Sequence, residues 1–240
     1  MKKFKAIYSI NFDKKPRSPK RIIYLIFHYT GMASEKKAIQ RLTSKSSKVS
    51  CHYFIKKNGK IIKMVPDKFI AWHAGVSNWK NHKNLNDKSI GIEIQNSGHS
   101  GKYERFPNRQ IKSLLFLSKI LKRKYLIKSK NVLGHSDISP DRKKDPGEKF
   151  PWKYLAKQKI GIWYNLPKNL KFRNTEALTK EKKIFYFYLK KIGYCIQKKS
   201  KHSKSVVRAF QRRYRPKIIN GKIDKQCLEI AKNLVKRGLN

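Results

Sequence analysis

The chain has 240 residues, with 60 Lys and Arg against 14 Asp and Glu, a formal charge of +46. Its 39% hydrophobic content suits one medium domain with its own core plus a small second one, while no stretch reaches the roughly 18 apolar residues of a membrane span. Cys51, Cys195 and Cys227 lack CxxC spacing and point to neither a disulfide framework nor a cysteine metal site.

The opening MKKFKAIYSINFDKK starts with lysines as an export leader does, but Ser9, Asn11 and Asp13 interrupt the apolar run. No export signal is therefore expected, and a cytoplasmic location fits, with the periplasm or cell envelope as the alternative should a leader precede the recorded start. The charge predicts attraction to polyanions. Lysines spread over nearly the whole length fit a general compositional bias equally well, so charge alone names no partner.

Arg21 to His28 reads as a buried strand that delivers His28 to its C-terminal edge. A helix should follow, N-capped by Ser34, with Ala38, Ile39 and Leu42 on one face. In CHYFIKKNGKIIKMVP two strand-like runs flank Asn58-Gly59, a signal for a hairpin with a type I′ turn. Strict alternation in SIGIEIQ puts Ile90, Ile92 and Ile94 on one face and Gly91, Glu93 and Gln95 on the other. From Pro107 to about Tyr125, Ile111, Leu114, Leu117 and Leu121 recur at helical spacing, so a long helix should cover the sheet. Asn131 to Gly134 then forms a short strand ending at His135. The fold class expected is α/β (α+β): a central mixed β-sheet flanked by helices, followed by a small all-α three-helix module.

After Trp152 the pattern changes. The stretch from Gly161 to Thr179 lacks periodicity, as a linker does. Three helix-like segments follow: IFYFYLKKIGY, SVVRAFQRRY and a last one that Asp224 can cap, carrying Leu228, Ala231 and Val235. The boundaries expected are 1–158 for the first domain, 159–179 for the linker and 180–240 for the helical domain.

Zinc hydrolases use three protein ligands of N or O type and leave the fourth position to water. The chain has seven histidines, and one histidine alone says little; His82, His99 and His202 read as surface or packing residues. The context of His28 and His135 sets them apart. FHYTG, CHYFIKKNGKI, AWHAGVSNW, NDKSIGIEIQN and GHSDISPDRKKDPGEKFPW resemble, in order, the blocks of N-acetylmuramoyl-L-alanine amidases of the second amidase type. That family includes bacterial recycling amidases, phage lysozyme-like amidases and animal peptidoglycan recognition proteins. The resemblance covers roughly residues 20 to 156.

The resemblance implies one zinc ion per chain, held by His28, His135 and Asp145. It makes Glu93 the acid that activates water and shuttles its proton, and Lys143 the stabiliser of the oxyanion. A carboxylate on a covered strand is partly desolvated, which suits it to general base and acid work. Trp72, His73 and Asn78 would line the substrate groove; neither His73 nor His52 is expected to ligate zinc. Trp79 and Trp152 fit sugar stacking or core packing equally. The C-terminal segment resembles a peptidoglycan-binding helical module, or else is a generic three-helix cap.

The function implied is zinc-dependent hydrolysis of the amide between N-acetylmuramic acid and L-alanine, in peptidoglycan or (anhydro)muropeptides, by a monomer. Two alternatives stay open: a recognition protein that binds wall fragments without cutting, and a basic nucleic-acid-binding protein, although no helix-turn-helix, RNP or zinc-finger pattern accompanies the charge.

Overall fold

The computed structural model describes residues 4–167, 175–197 and 200–238. Six strands form the main sheet: β1 (Lys5–Ala6), β2 (Tyr24–Tyr29), β3 (Tyr53–Ile55), β4 (Ile61–Lys63), β5 (Ser89–Ile94) and β6 (Val132–Gly134). Their spatial order is β1-β4-β3-β5-β2-β6, with only the β3–β4 pair antiparallel. The expected mixed sheet is therefore present, and β2, β5 and β6 run parallel at its centre and edge. Their carboxyl ends lie side by side, where open α/β sheets gather their sites.

Alternation along β2 decides which layer each residue joins. Leu25 and Phe27 point into a core shared with Ile90, Ile92 and Ile94 of β5. That core is closed by α2 (Asn108–Lys124), through Ile111, Leu114, Leu117 and Leu121, the stripe the sequence spacing predicts. Tyr24 and Ile26 point to the opposite face, and His28 follows their parity. On this second face lies α1 (Glu35–Thr43), capped as expected by Ser34, whose Oγ accepts from the Lys37 N–H at 3.2 Å.

The β3–β4 hairpin forms with its loop at residues 56–60, but its turn is not type I′. Only Gly59 has positive φ (+86°); Asn58 does not. The Gly59 N–H donates to the Lys56 carbonyl and the Lys56 N–H to the Lys60 carbonyl, each at 2.9 Å. This is the longer connection in which a turn is followed by one left-handed glycine. A side chain at 59 would come within 2.8 Å of the Arg109 carbonyl oxygen, so close packing also requires glycine there.

After β6 come the short α3 (His135–Ile138) and α4 (Trp152–Lys157). Trp152 is core, stacked on Phe27 with ring centres 5.7 Å apart. Three further helices follow: α5 (Thr179–Ile192), α6 (Ser200–Tyr214) and α7 (Lys225–Gly238). Asp224 caps α7, its Oδ1 accepting from the Cys227 N–H at 2.9 Å. The buried stripe of α7 is Cys227, Ile230, Ala231 and Leu234, with Leu228 and Val235 at its margin; the expected face was displaced by one residue. These helices share one continuous core with Tyr24, Ile26, Trp79, Leu133 and Ile138 of the sheet domain. Trp79 packs against Tyr194 and is core, not a sugar platform. Residues 168–174, inside the expected linker, lie outside the described residues. No helix among the described residues is long and apolar enough to cross a membrane.

Candidate metal centre

His28 is the penultimate residue of β2, His135 opens α3 directly after β6, and Asp145 lies in the loop that leads to α4. These buried side chains converge. His28 Nδ1 is 2.9 Å from His135 Nδ1, and Asp145 Oδ2 is 3.1 Å from each. Gly134 permits the closure, since a Cβ there would lie 2.6 Å from Cδ of Pro146. The Ser136 N–H also donates to the Asp145 carbonyl at 2.8 Å, which ties the two ends of the loop together.

The outer nitrogens fix the tautomers. His135 Nε2 faces the Ala74 carbonyl at 3.1 Å; a carbonyl only accepts, so Nε2 carries a proton and, in the neutral ring, Nδ1 keeps its lone pair. His28 Nε2 faces His73 Nδ1 at 3.1 Å, and His73 Nε2 faces Ser89 Oγ at 3.1 Å. Ser89 in turn donates to the Leu85 carbonyl at 2.6 Å. Read inward from that acceptor, every donor is matched when His73 donates to Ser89 and His28 donates to His73. His28 Nδ1 then also carries a lone pair.

Two imidazole lone pairs and a carboxylate oxygen thus face one another, an arrangement that calls for a cation between them. A tetrahedral zinc with bonds of roughly 2.0–2.1 Å would space its ligand atoms about 3.3 Å apart, a few tenths of an ångström wider than here. The donor set and its outer hydrogen bonds fit such an ion.

The electrostatics agree. Burial lowers the His28 imidazole to about 4, and His135 adds to the effect, so the ring is neutral at pH 7, the form that ligates. Burial alone would raise Asp145, but positive charge on the facing imidazoles holds this carboxyl far below its usual range, a compensation that a bound cation would supply when both rings are neutral.

Glu93 stands in register with His28 on the neighbouring strand. It is half-buried, and its Oε2 is enclosed without a hydrogen-bond partner. Burial drives its pKa well above the ordinary value, the Asp145 charge adds to this, and Lys143 opposes it. Lys143 is half-buried on the wall of the same cavity, with no carboxylate at ion-pair distance among the described residues. The cavity encloses about 560 Å³, and Arg41, Arg142, Lys143 and Lys144 give it a cationic lining.

Of the expected groove residues, Trp72 lines this cavity and holds its ring by donating from Nε1 to Asp13 Oδ1 at 2.8 Å. His73 lines the cavity too and, largely buried, stands behind His28. Asn78 lines a different cavity, beside Ser139 and His202. His52 accepts the Gly91 N–H at 3.0 Å deep in the sheet. Sequence reading missed Ser89, although the alternation that exposes Glu93 places Ser89 and Gly91 on the same face. Gly91 is the gap into which His73 fits, because a Cβ there would lie 2.4 Å from the His73 ring.

A mixed sheet with a buried His-His-Asp group and a desolvated glutamate beside it is the kind of site a metal-dependent hydrolase uses. Residues 18–148 match the family model described as N-acetylmuramoyl-L-alanine amidase, and the chain belongs to that family. It is 35% identical over 233 residues to the N-acetylmuramoyl-L-alanine amidase AmiD of Escherichia coli, covering 90% of this chain and 83% of the relative. The solved AmiD complex superposes with a TM-score of 0.81 at 34% identity, covering 90% of each chain. AmpDh3 of Pseudomonas aeruginosa, solved with an anhydromuramic pentapeptide, gives a TM-score of 0.81 at 30% identity and covers 97% of this chain and 98% of its own. The 1,6-anhydro-N-acetylmuramyl-L-alanine amidase AmpD of Haemophilus influenzae is 34% identical, with 65% of this chain matching 92% of the relative.

Proposed function

We propose that this chain is a zinc-dependent amidase that cleaves the bond between the lactyl carbonyl of N-acetylmuramic acid and the nitrogen of L-alanine, and that anhydro-muropeptides are among its substrates. The observation that carries the reading is the convergence of His28, His135 and Asp145 beside Glu93 in a chain of this family. The AmiD structure holds anhydro-N-acetylmuramic acid-L-Ala-D-γ-Glu-L-Lys, described as its substrate. A stem peptide of that kind is acidic, and the cationic lining of the cavity complements it.

Zinc held by the three ligands would lower the pKa of water towards roughly 7 and polarise the scissile carbonyl. Glu93, already shifted towards neutral pH, accepts the proton of the attacking water and passes it to the L-alanine nitrogen as the C–N bond breaks. Lys143 faces the cavity with an uncommitted ammonium suited to the negative charge that grows on the carbonyl oxygen. Trp72 forms part of the wall along which the substrate lies.

The test is Glu93→Gln. Turnover of an anhydro-muropeptide should fall by about 10²- to 10⁴-fold, with zinc still bound at one equivalent. An active Glu93→Gln protein would remove Glu93 from the mechanism, and a wild-type protein that binds muropeptide without cutting it would favour the recognition reading.

A further inference from the structure

The chain has 14 acidic residues, and four of them, Asp137, Asp141, Asp145 and Glu148, lie between residues 135 and 148. Asp145 belongs to the metal centre. The other three all face α6: Arg213 pairs with Asp137, His202 with Asp141, and Arg212 Nε lies 3.8 Å from Glu148. The loop that carries two of the three ligands is therefore held along its length by one helix of the C-terminal segment.

The Asp137 contact is the most constrained. Asp137 and Arg213 are 2% and 3% exposed, so each charge depends on the other for compensation. Asp137 Oδ2 accepts the Gly134 N–H at 2.8 Å as well as the Arg213 guanidinium, and Oδ1 accepts the Tyr194 hydroxyl at 2.7 Å. Arg213 also donates to the Val132 carbonyl at 3.0 Å and lies 4.0 Å over the Trp152 ring. Asp137 thus ties the end of β6 to the start of α3, where His135 sits. The Ser136 N–H passes the same constraint to the Asp145 carbonyl.

We infer that the C-terminal helices are a built-in brace of the metal centre: Arg213 and Tyr194 fix Asp137, Asp137 fixes the first turn of α3, and that turn sets His135 and Asp145. Arg213 and Tyr194 are positioning residues in this scheme. It rests on the metal reading above and goes beyond it, because the segment acts on the site from behind, not on substrate. About two thirds of this chain matches nearly the whole length of AmpD of Haemophilus influenzae, whereas AmpDh3 matches 97% of it.

The experiment uses the full chain, loaded with zinc and, in parallel, with cobalt. Zinc release to a chelator, the ligand-field spectrum of the cobalt form and the thermal midpoint of the metal-free protein are measured for wild type, Tyr194→Phe, Arg213→Met, Arg213→Lys and the exposed control Arg208→Met. Arg213→Met should release zinc at least tenfold faster with a changed cobalt spectrum, Tyr194→Phe should do so to a smaller extent, Arg213→Lys should recover part of the loss, and Arg208→Met should match wild type. Tyr194→Phe removes a single hydroxyl and carries the test if Arg213→Met does not fold. Lower thermal midpoints with unchanged zinc release and cobalt spectra would overturn the brace and leave the metal site standing. A wild-type protein that takes up no zinc would end both readings together.

Discussion

Replacing His73 by leucine removes the group behind His28 without touching the three ligands. In the structure His28 Nε2–H is buried and has His73 Nδ1 as its acceptor at 3.1 Å, while Ser89 Oγ receives from His73 Nε2. Leucine leaves that N–H unsatisfied, a loss of about 1–3 kcal/mol, which corresponds to about 5- to 150-fold in an equilibrium constant. Outer partners of metal-bound histidines are worth roughly 10- to 100-fold in metal affinity, the same range reached independently. The assay is competition for zinc against a chelator of known affinity, with unfolding of the metal-free proteins to separate simple packing loss. His73→Asn is the companion variant, because its Oδ1 can stand where Nδ1 accepts from His28. We expect His73→Leu to bind zinc some tenfold or more weaker and His73→Asn to recover most of the difference. Wild-type affinity in His73→Leu, or no advantage for Asn, would refute the relay.

Gly91→Ala should act on the same support from the other side, since its Cβ would meet the His73 ring at 2.4 Å; chelator competition should show weaker zinc binding without any change to a polar residue. Glu93→Gln should stabilise the metal-free protein at neutral pH. The folded-state pKa of Glu93 is raised above its ordinary 4.5, so ionisation costs stability as pH rises above about that value. The difference between variant and wild type in denaturant unfolding should therefore be present at pH 7 and vanish below about pH 4.5; a gap that widened in acid would contradict the assignment. Lys143→Met should lower kcat by roughly 10²- to 10³-fold with little change in KM, the pattern for a group used mainly in the transition state.

The strand residues of the site were legible for a physical reason. Alternation in SIGIEI binds the orientation of Glu93 to that of three buried isoleucines, so placing the core places the carboxylate. The metal set had no local signal: His28 and His135 are 107 residues apart and meet through parallel pairing of β2 with β6, which no spacing rule encodes. Only the ordered family blocks pointed to them. The hairpin was visible in Asn58-Gly59, but its turn type was not, because one left-handed glycine satisfies the longer loop as well as two would satisfy the shorter. The family block AWHAG points to His73 as a groove residue, and it does line the cavity; its second place, behind His28, depends on the missing side chain of Gly91, on another strand. The Asp137–Arg213 pair spans 76 residues and leaves no periodic trace at all.

Digestion of an anhydro-muropeptide in H₂¹⁸O, with the products weighed by mass spectrometry, tests whether the chain is a zinc-dependent amidase that cuts at the lactyl carbonyl. Free anhydro-N-acetylmuramic acid should carry one ¹⁸O in its lactyl carboxylate, beside an unlabelled stem peptide that begins with L-alanine, with both products lost on chelation and restored by zinc. Intact substrate, a cut at any other bond, or label in the peptide would contradict it.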